Sequence, residues 1–298
     1  MDAELEEWKT AGHYFDYLGF DIFYRMEGSG PPLLLVHGYP FNSWDWALIW
    51  PRLIERFTVI APDMLGMGFS EKPVQYGYSV HDHADMHEEL LSQLNIHRVH
   101  LLTHDIGNSV GQELLARHEL GEQSRGPVAI DSVTWLNGGL FIEAYRPRLV
   151  QTVLSRTPLG DLISRVQGTP ISRRMIESAI NELFGETKPS PHMMSCFQQV
   201  LEYKDGGRVT HLVGKFIDDR YTHRSRWVRA MRETRVPMRL IDGPRDPNSG
   251  LHMAERYLEV IPDPDVVLLD DSVGHWPQVE APEAVLTHFL EHIDRVTS

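Results

Sequence analysis

The sequence predicts an α/β fold: a mostly parallel sheet covered by helices on both faces, with a helical segment inserted between two strands. Three observations lead there. Short runs rich in Leu, Val and Ile recur along the chain, and helical patterns separate them. Between about residues 139 and 227 the strand runs stop, and they resume at Met238. Continuous apolar runs suit strands buried on both faces, which is the condition of a parallel sheet flanked by helices.

Residues 14–17 and 20–24, joined by Leu18-Gly19, suit an antiparallel hairpin ahead of that sheet. Residues 33–37 and 58–61 read as strands, with a helical pattern over 44–57 between them. A second helix is expected over 80–94, with Ser79 at its start, then a strand over 99–103 and a helix over 108–118. Strands at 130–136, 238–242 and 266–270 complete the sheet, and a helix over 282–296 closes the chain. The insertion contains the breakers Thr169-Pro170 and Pro189-Ser190-Pro191. Residues 1–138 and 228–298 therefore read as one core domain, and 139–227 as a helical cap at the C-terminal edge of its sheet.

With 298 residues, 42% hydrophobic and 23% charged, the chain can bury a sizeable core. Against 42 Asp and Glu it carries 28 Lys and Arg, a formal net charge of −14. Phosphate backbones and anionic lipid surfaces would repel it, so neither nucleic acid nor membrane is an expected partner. Its one cysteine, Cys196, cannot form an intramolecular disulfide, which fits a reducing, cytoplasmic setting. The acidic start lacks a basic segment followed by an apolar one, and the apolar run over 33–36 is far below the ~20 residues of a membrane span. No HExxH or Cys-x-x-Cys occurs among the 16 histidines, so no metal or other cofactor is expected. His81, His83 and His87 read as a solvated helix face.

The chemistry gathers at strand ends. Thr103-His104-Asp105-Ile106-Gly107 joins a strand to a helix, where a Gly-x-Ser-x-Gly turn would expose a nucleophile; Asp105 fills that slot and Thr103 replaces the first glycine. Taken alone, Asp105 could equally be a helix N-cap. Three further segments weigh against that: His37-Gly38-Tyr39-Pro40, Gly243-Pro-Arg-Asp246-Pro247 and Gly274-His275-Trp276-Pro277 each follow their own strand. Backbone N–H groups of Tyr39 and Ile106 could form an oxyanion hole, and the chain order is nucleophile, acid, histidine. Asp63 through Ser70, with Gly66 and Gly68, supplies a tight turn and lacks the context of a nucleotide loop.

From Phe20 to Ile293 the chain resembles the α/β-hydrolase superfamily, in particular its Asp-nucleophile branch of epoxide hydrolases and haloalkane dehalogenases. HGYP, DMLGMGFS, THDIG, GPRDP and GHWPQVEAPE are the segments most similar to epoxide hydrolases. Gln112-Glu-Leu-Leu115, Leu136-Asn-Gly-Gly-Leu-Phe141 with Arg146-Pro147, and Arg226-Trp-Val228 also resemble mesoderm-specific-transcript proteins. The resemblance implies an α/β-hydrolase fold and a cofactor-independent hydrolysis of a fairly apolar small epoxide, with a homodimer left open.

A carboxylate suits attack on saturated carbon, because it is ionised at neutral pH and needs no base before it attacks. Asp105 would form an alkyl ester, His275 would activate the water that cleaves it, and Asp246 would orient and stabilise the imidazole. Asn137 stands at the rival position for the acid, where a neutral amide cannot do that work; Asp242 reads as structural. The opening epoxide needs an acidic O–H donor, which the resemblance places on cap tyrosines. Tyr221 is favoured, with Tyr145 the early candidate and Tyr203 a third. Ile106, offering no side-chain donor, argues against halide release. His37, Trp44 and Trp276 are expected to line the substrate pocket. Trp46 and Trp50 read as packing, Met193, Met194 and Phe197 as cap core or substrate wall, His104 as shaping the turn, and Arg220, Arg224 and Arg226 as a solvated cap face. The alternatives are a haloalkane dehalogenase and a noncatalytic binding protein like the mesoderm-specific-transcript group.

Overall fold

Alternating burial builds this molecule from its strands outward. In the third strand Leu33 and Leu35 join one apolar cluster while Leu34 and Val36 join the other, so each face of the sheet receives every second side chain. The computed structural model describes residues 1–123, 128–147 and 168–298. Its strands are β1 (His13–Tyr17), β2 (Phe20–Glu27), β3 (Pro32–Val36), β4 (Thr58–Pro62), β5 (Arg98–Thr103), β6 (Ala129–Trp135), β7 (Met238–Asp242) and β8 (Val266–Leu268).

They form one sheet in the order β1-β2-β4-β3-β5-β6-β7-β8. β1, β2 and β4 pair antiparallel, and every pairing from β4 through β8 is parallel. The C-terminal ends of β3, β5, β6 and β7 therefore lie along one edge, which brings together loops that are far apart in sequence.

Helices cover both faces. One apolar cluster packs β3, β5 and β6 residues against α2 (Val80–Gln93), α3 (Ile106–Leu120), α6 (Phe216–Glu233) and α7 (Leu251–Val260). The other packs α1 (Ala3–Thr10), α5 (Pro191–Glu202) and α8 (Pro282–Thr297), with Ile180 of α4 (Pro170–Leu183). Ser79, Thr169 and Ser190 cap α2, α4 and α5, each side chain accepting a first-turn N–H. Pro170 and Pro191, read as breakers, begin helices, where the missing N–H is not needed.

Several elements differ from expectation. The helix expected over 44–57 is split into the turn Ser43–Trp46 and the short helix Trp50–Leu53, because Pro51 can only start a helical turn. α1 and α7 were not foreseen: α1 buries just Leu5 and Trp8, and α7 shows its buried face only in Met253, Ala254 and Tyr257. Asp2, which caps α1, also meets His192 of α5 at 3.2 Å, and the Cys196 thiol lies 3.8 Å from the same ring. These contacts dock the first helix on α5. Between β6 and β7 the described elements are helical, and α6 runs on past residue 227 to Glu233. No helix among the described residues is long and apolar enough to cross a membrane.

His83 and His87 do not lie on a solvated face. Both are buried in α2, His87 Nδ1 donates to the His83 carbonyl at 2.6 Å, and burial lowers their imidazoles to about 3 and about 4. A helix covering a parallel sheet turns one stripe inward, and that stripe includes these rings.

Candidate active site

Asp105 sits between β5 and α3 with φ 50° and ψ −110°, a conformation that costs a non-glycine residue about 1–3 kcal/mol and persists where surroundings over-determine it. Gly107 lets the turn pass under β3: a Cβ there would stand 2.2 Å from the Val36 carbonyl oxygen. Thr103, standing where a glycine was expected, contributes a brace. Its hydroxyl donates to Asn108 Oδ1 at 2.7 Å, and Asn108 Nδ2 donates to the Leu136 carbonyl at 2.8 Å.

The Tyr39 N–H donates to Asp105 Oδ2 at 3.1 Å. Ile106 opens α3, so its N–H belongs to the first turn, where helical acceptors are lacking. His37 is fully buried: its Nε2 accepts from the Met64 N–H at 2.9 Å and its Nδ1–H donates to the Gly38 carbonyl at 2.7 Å. With both ring nitrogens spent on backbone, it holds the Tyr39 loop against the 63–70 turn. Burial keeps its imidazole down at about 4. Asp63 closes that turn, accepting from the N–H groups of Ser43 (2.8 Å) and Phe69 (2.6 Å).

His275 Nδ1–H donates to Asp246 Oδ2 at 2.7 Å, with both side chains buried. Asp246 also accepts from Ser249 Oγ (2.6 Å) and the Asn248 N–H (2.8 Å). Burial works against the charged imidazole, but Asp246, its hydrogen bond and Asp105 outweigh it and push His275 up to about 9. Asp246 shows the complementary balance: burial opposes its charge, yet His275 holds it below the ordinary carboxylate range. Asn137 clamps the acid loop, accepting from the Gly243 N–H at 2.7 Å and donating to the Gly243 carbonyl at 2.9 Å. Asp242, buried beside Asp246, is pushed well above the ordinary range by desolvation and then by that neighbouring charge. His104 Nε2–H donates to the His275 carbonyl at 2.7 Å, fixing the histidine's backbone to the elbow.

Aromatic side chains stand beside this group. Trp276 stacks on Phe184 with centroids 5.0 Å apart, and Phe197 lies 4.5 Å from Phe41 and 6.0 Å from Trp44. Trp46 is buried, and Trp50 packs edge-on to Trp8 at 5.0 Å.

The cap candidates separate. Tyr221 is 54% exposed on α6, so the structure does not bring it to Asp105. The preceding residue faces inward instead: Arg220 is 2% exposed, donates Nε to Ser109 Oγ at 2.8 Å and Nη2 to the Asp105 carbonyl at 3.0 Å. Its guanidinium lies 4.8 Å from the ring of the buried Tyr145. Tyr203 stacks edge-on with Phe69 at 5.2 Å and carries the ammonium of Lys72 over its ring. Arg220 is thus no solvated residue, and its α6 neighbours are paired: Arg224 with Glu143, and Arg226 with Glu113 and Glu122. A helix turns about 100° per residue, so adjacent positions on α6 meet the core and the solvent. Sequence alone offered no signal for which.

The sequence profile described as the alpha/beta hydrolase family matches residues 33–287, and the chain belongs to that family. It is 36% identical over 303 residues to the mesoderm-specific transcript protein of Mus musculus, covering 99% of this chain and 89% of that protein. Two solved structures share the fold. The haloalkane dehalogenase DbeA of Bradyrhizobium elkani has a TM-score of 0.78 at 20% identity, covering 96% of this chain and 98% of its own. A mutant form of a putative epoxide hydrolase from Pseudomonas aeruginosa has a TM-score of 0.77 at 21% identity, covering 96% of each chain.

Proposed function

We propose that this hydrolase opens an apolar epoxide to a vicinal diol through an alkyl ester on Asp105. The observation that carries the reading is a carboxylate, at a positive-φ strand–helix turn, receiving the Tyr39 N–H where an oxyanion would be held. Attack by an Asp105 oxygen on an epoxide carbon forms the ester and breaks the ring C–O bond; the alkoxide takes a proton from an acidic O–H. Of the cap tyrosines, Tyr145 suits that role, being buried against Arg220 and near enough to raise the Tyr39 phenol together with burial and Asp105. Water deprotonated by His275 then attacks the ester carbonyl, and the N–H groups of Tyr39 and Ile106 stabilise the oxyanion; collapse expels the diol oxygen, which takes the carboxyl proton and leaves the carboxylate, and the proton on His275 passes to the phenolate left by ring opening. Ester formation removes the Asp105 charge, one of the groups that raise His275, and so favours the neutral imidazole, which Asp246 keeps in the tautomer whose Nε2 can accept that proton. Phe41, Trp44, Phe197 and Trp276 would supply an apolar wall, and the chemistry calls for no cofactor.

Oxygen tracing tests this reading. In one turnover in heavy-oxygen water with enzyme in excess, the label should enter the peptide containing Asp105, and the first diol should stay largely unlabelled. Label in the first diol and none in Asp105 would replace the ester with direct attack of water. A parallel assay with a bromoalkane reads halide release, the outcome expected if the same carboxylate serves a dehalogenase.

A further inference from the structure

Arg220 is a buried cation beside the proposed nucleophile. A guanidinium stays protonated at any physiological pH, and burying an unpaired one costs several kcal/mol. Among the described residues, its carboxylate partner is Asp105, with Nη2 3.5 Å from Oδ1, while Nη1 is buried without a hydrogen-bond partner. The position is enforced from several sides. Ser109 holds Nε, the Phe216 and Tyr145 rings lie 4.7 and 4.8 Å from the guanidinium carbon, and a Cβ on Gly139 would stand 2.3 Å from Nη1. The short bond from Nη2 goes to the Asp105 backbone carbonyl at 3.0 Å, so the carboxylate is approached by the charge without being clamped through both oxygens.

We infer that Arg220 is a positioning residue that sets the balance between the two halves of the reaction; this rests on Asp105 forming an ester. Alkylation removes the negative charge from the Asp105 carboxyl. Hydrolysis restores it, first on the tetrahedral oxyanion and then on the free carboxylate. A fixed cation 3.5 Å away stabilises the charged states and does nothing comparable for the neutral ester. Arg220 therefore favours ester hydrolysis over ester accumulation. It also ties the nucleophile to α6, because the same side chain holds Ser109 and the Asp105 carbonyl.

Two measurements decide this. Arg220→Met and Arg220→Lys are compared with the unaltered enzyme by quenched-flow mass spectrometry, with styrene oxide as probe, resolving ester formation from ester loss. In Arg220→Met the ratio of hydrolysis to alkylation rate should fall by about 10²-fold, the scale of one lost oxyanion donor, and Lys should restore part of it. Equal slowing of both steps, or no difference between Lys and Met, would overturn the inference and leave Arg220 a packing residue. The second measurement needs no turnover. Arg220→Met should lower the unfolding midpoint much less in an Asp105→Asn background, where no charge remains to be compensated. Additive shifts would also overturn it, and that background keeps the comparison open if Arg220→Met alone fails to fold. If the unaltered enzyme forms neither ester nor diol, the proposed function falls, while the stability cycle still judges the ion pair.

Discussion

Two buried carboxylates on the α3 segment, Asp105 and Glu113, are both reached by side chains of α6, yet their surroundings are opposite. Glu113 is saturated. It accepts from Arg117 Nε at 2.9 Å, Trp227 Nε1 at 2.8 Å and Arg226 at 3.1 and 3.3 Å, with His81 at 3.4 Å. Burial favours its neutral form, but these donors together hold its carboxyl below the ordinary range. Among the described residues, Asp105 receives one N–H bond on its carboxylate and a guanidinium at 3.5 Å. A carboxylate whose lone pairs are all engaged can only hold structure together; one held by its backbone, with oxygen lone pairs to spare, can attack carbon. Both sites are buried, so burial does not separate reactive from structural acids here. Occupancy of the lone pairs does.

The largest expected effect comes from the reactive site. His275→Gln should lower turnover by about 10³-fold or more while still forming the ester, since alkylation needs only the carboxylate. Intact-protein mass spectrometry of the variant with an epoxide should show a stable adduct. A folded variant without adduct would break the contrast between the two acids, because Asp105 would then be no more reactive than Glu113.

At the saturated site the expected loss is in stability. Glu113→Ala removes the carboxylate that Arg117 and Arg226 share, while Arg117 keeps Asp85 and Glu88 and Arg226 keeps Glu122, and should cost about 1–3 kcal/mol, measured by urea unfolding. The matched Glu113→Gln variant keeps the shape and loses the charge, and should fall between. If either variant unfolds like the original protein, the network around Glu113 is not what fastens α6 to α3.

The pH dependence of stability sharpens the comparison further. His275, raised to about 9 from an ordinary value near 6.5, contributes stability that is fully present below about pH 6.5 and is lost as the pH rises through about 9. Asp246→Asn removes the principal charge that raises it, so the decline in unfolding midpoint over that window should be shallower in the variant. Parallel profiles for the two proteins would show that the pair is not coupled to folding.

The smallest effect is expected at Tyr221. Its hydroxyl lies on an exposed side chain, so Tyr221→Phe should change stability by less than about 0.5 kcal/mol and turnover by less than about twofold. Tyr145→Phe should slow alkylation selectively. A reversal of the two, read by pre-steady-state ester formation, would mean that α6 presents its other face to substrate during the reaction.

Local spacing decided much of this molecule in advance. Strand runs bounded by turn residues defined the sheet, because a strand buried on both faces must be apolar without interruption. The residues at the strand ends were legible for the same reason. Thr103 to Gly107, His37 to Pro40, Gly243 to Pro247 and Gly274 to Pro277 are short turns whose chemistry is contained in a few consecutive positions. The direction in which a helix faces was not contained in that way. Arg220 and Tyr221 are adjacent in a segment dense with charge, and only packing against a turn 115 positions earlier sends one to Asp105 and the other to water. His83 and His87 follow the same rule: their polarity suggested solvent, whereas the packing of α2 onto the sheet turns both rings inward. Sequence determined which strands exist and what stands at their ends, since those depend on near neighbours. Tertiary structure alone decided which charges were buried and against what, because the cost of burying a charge depends on partners that distant parts of the chain must supply.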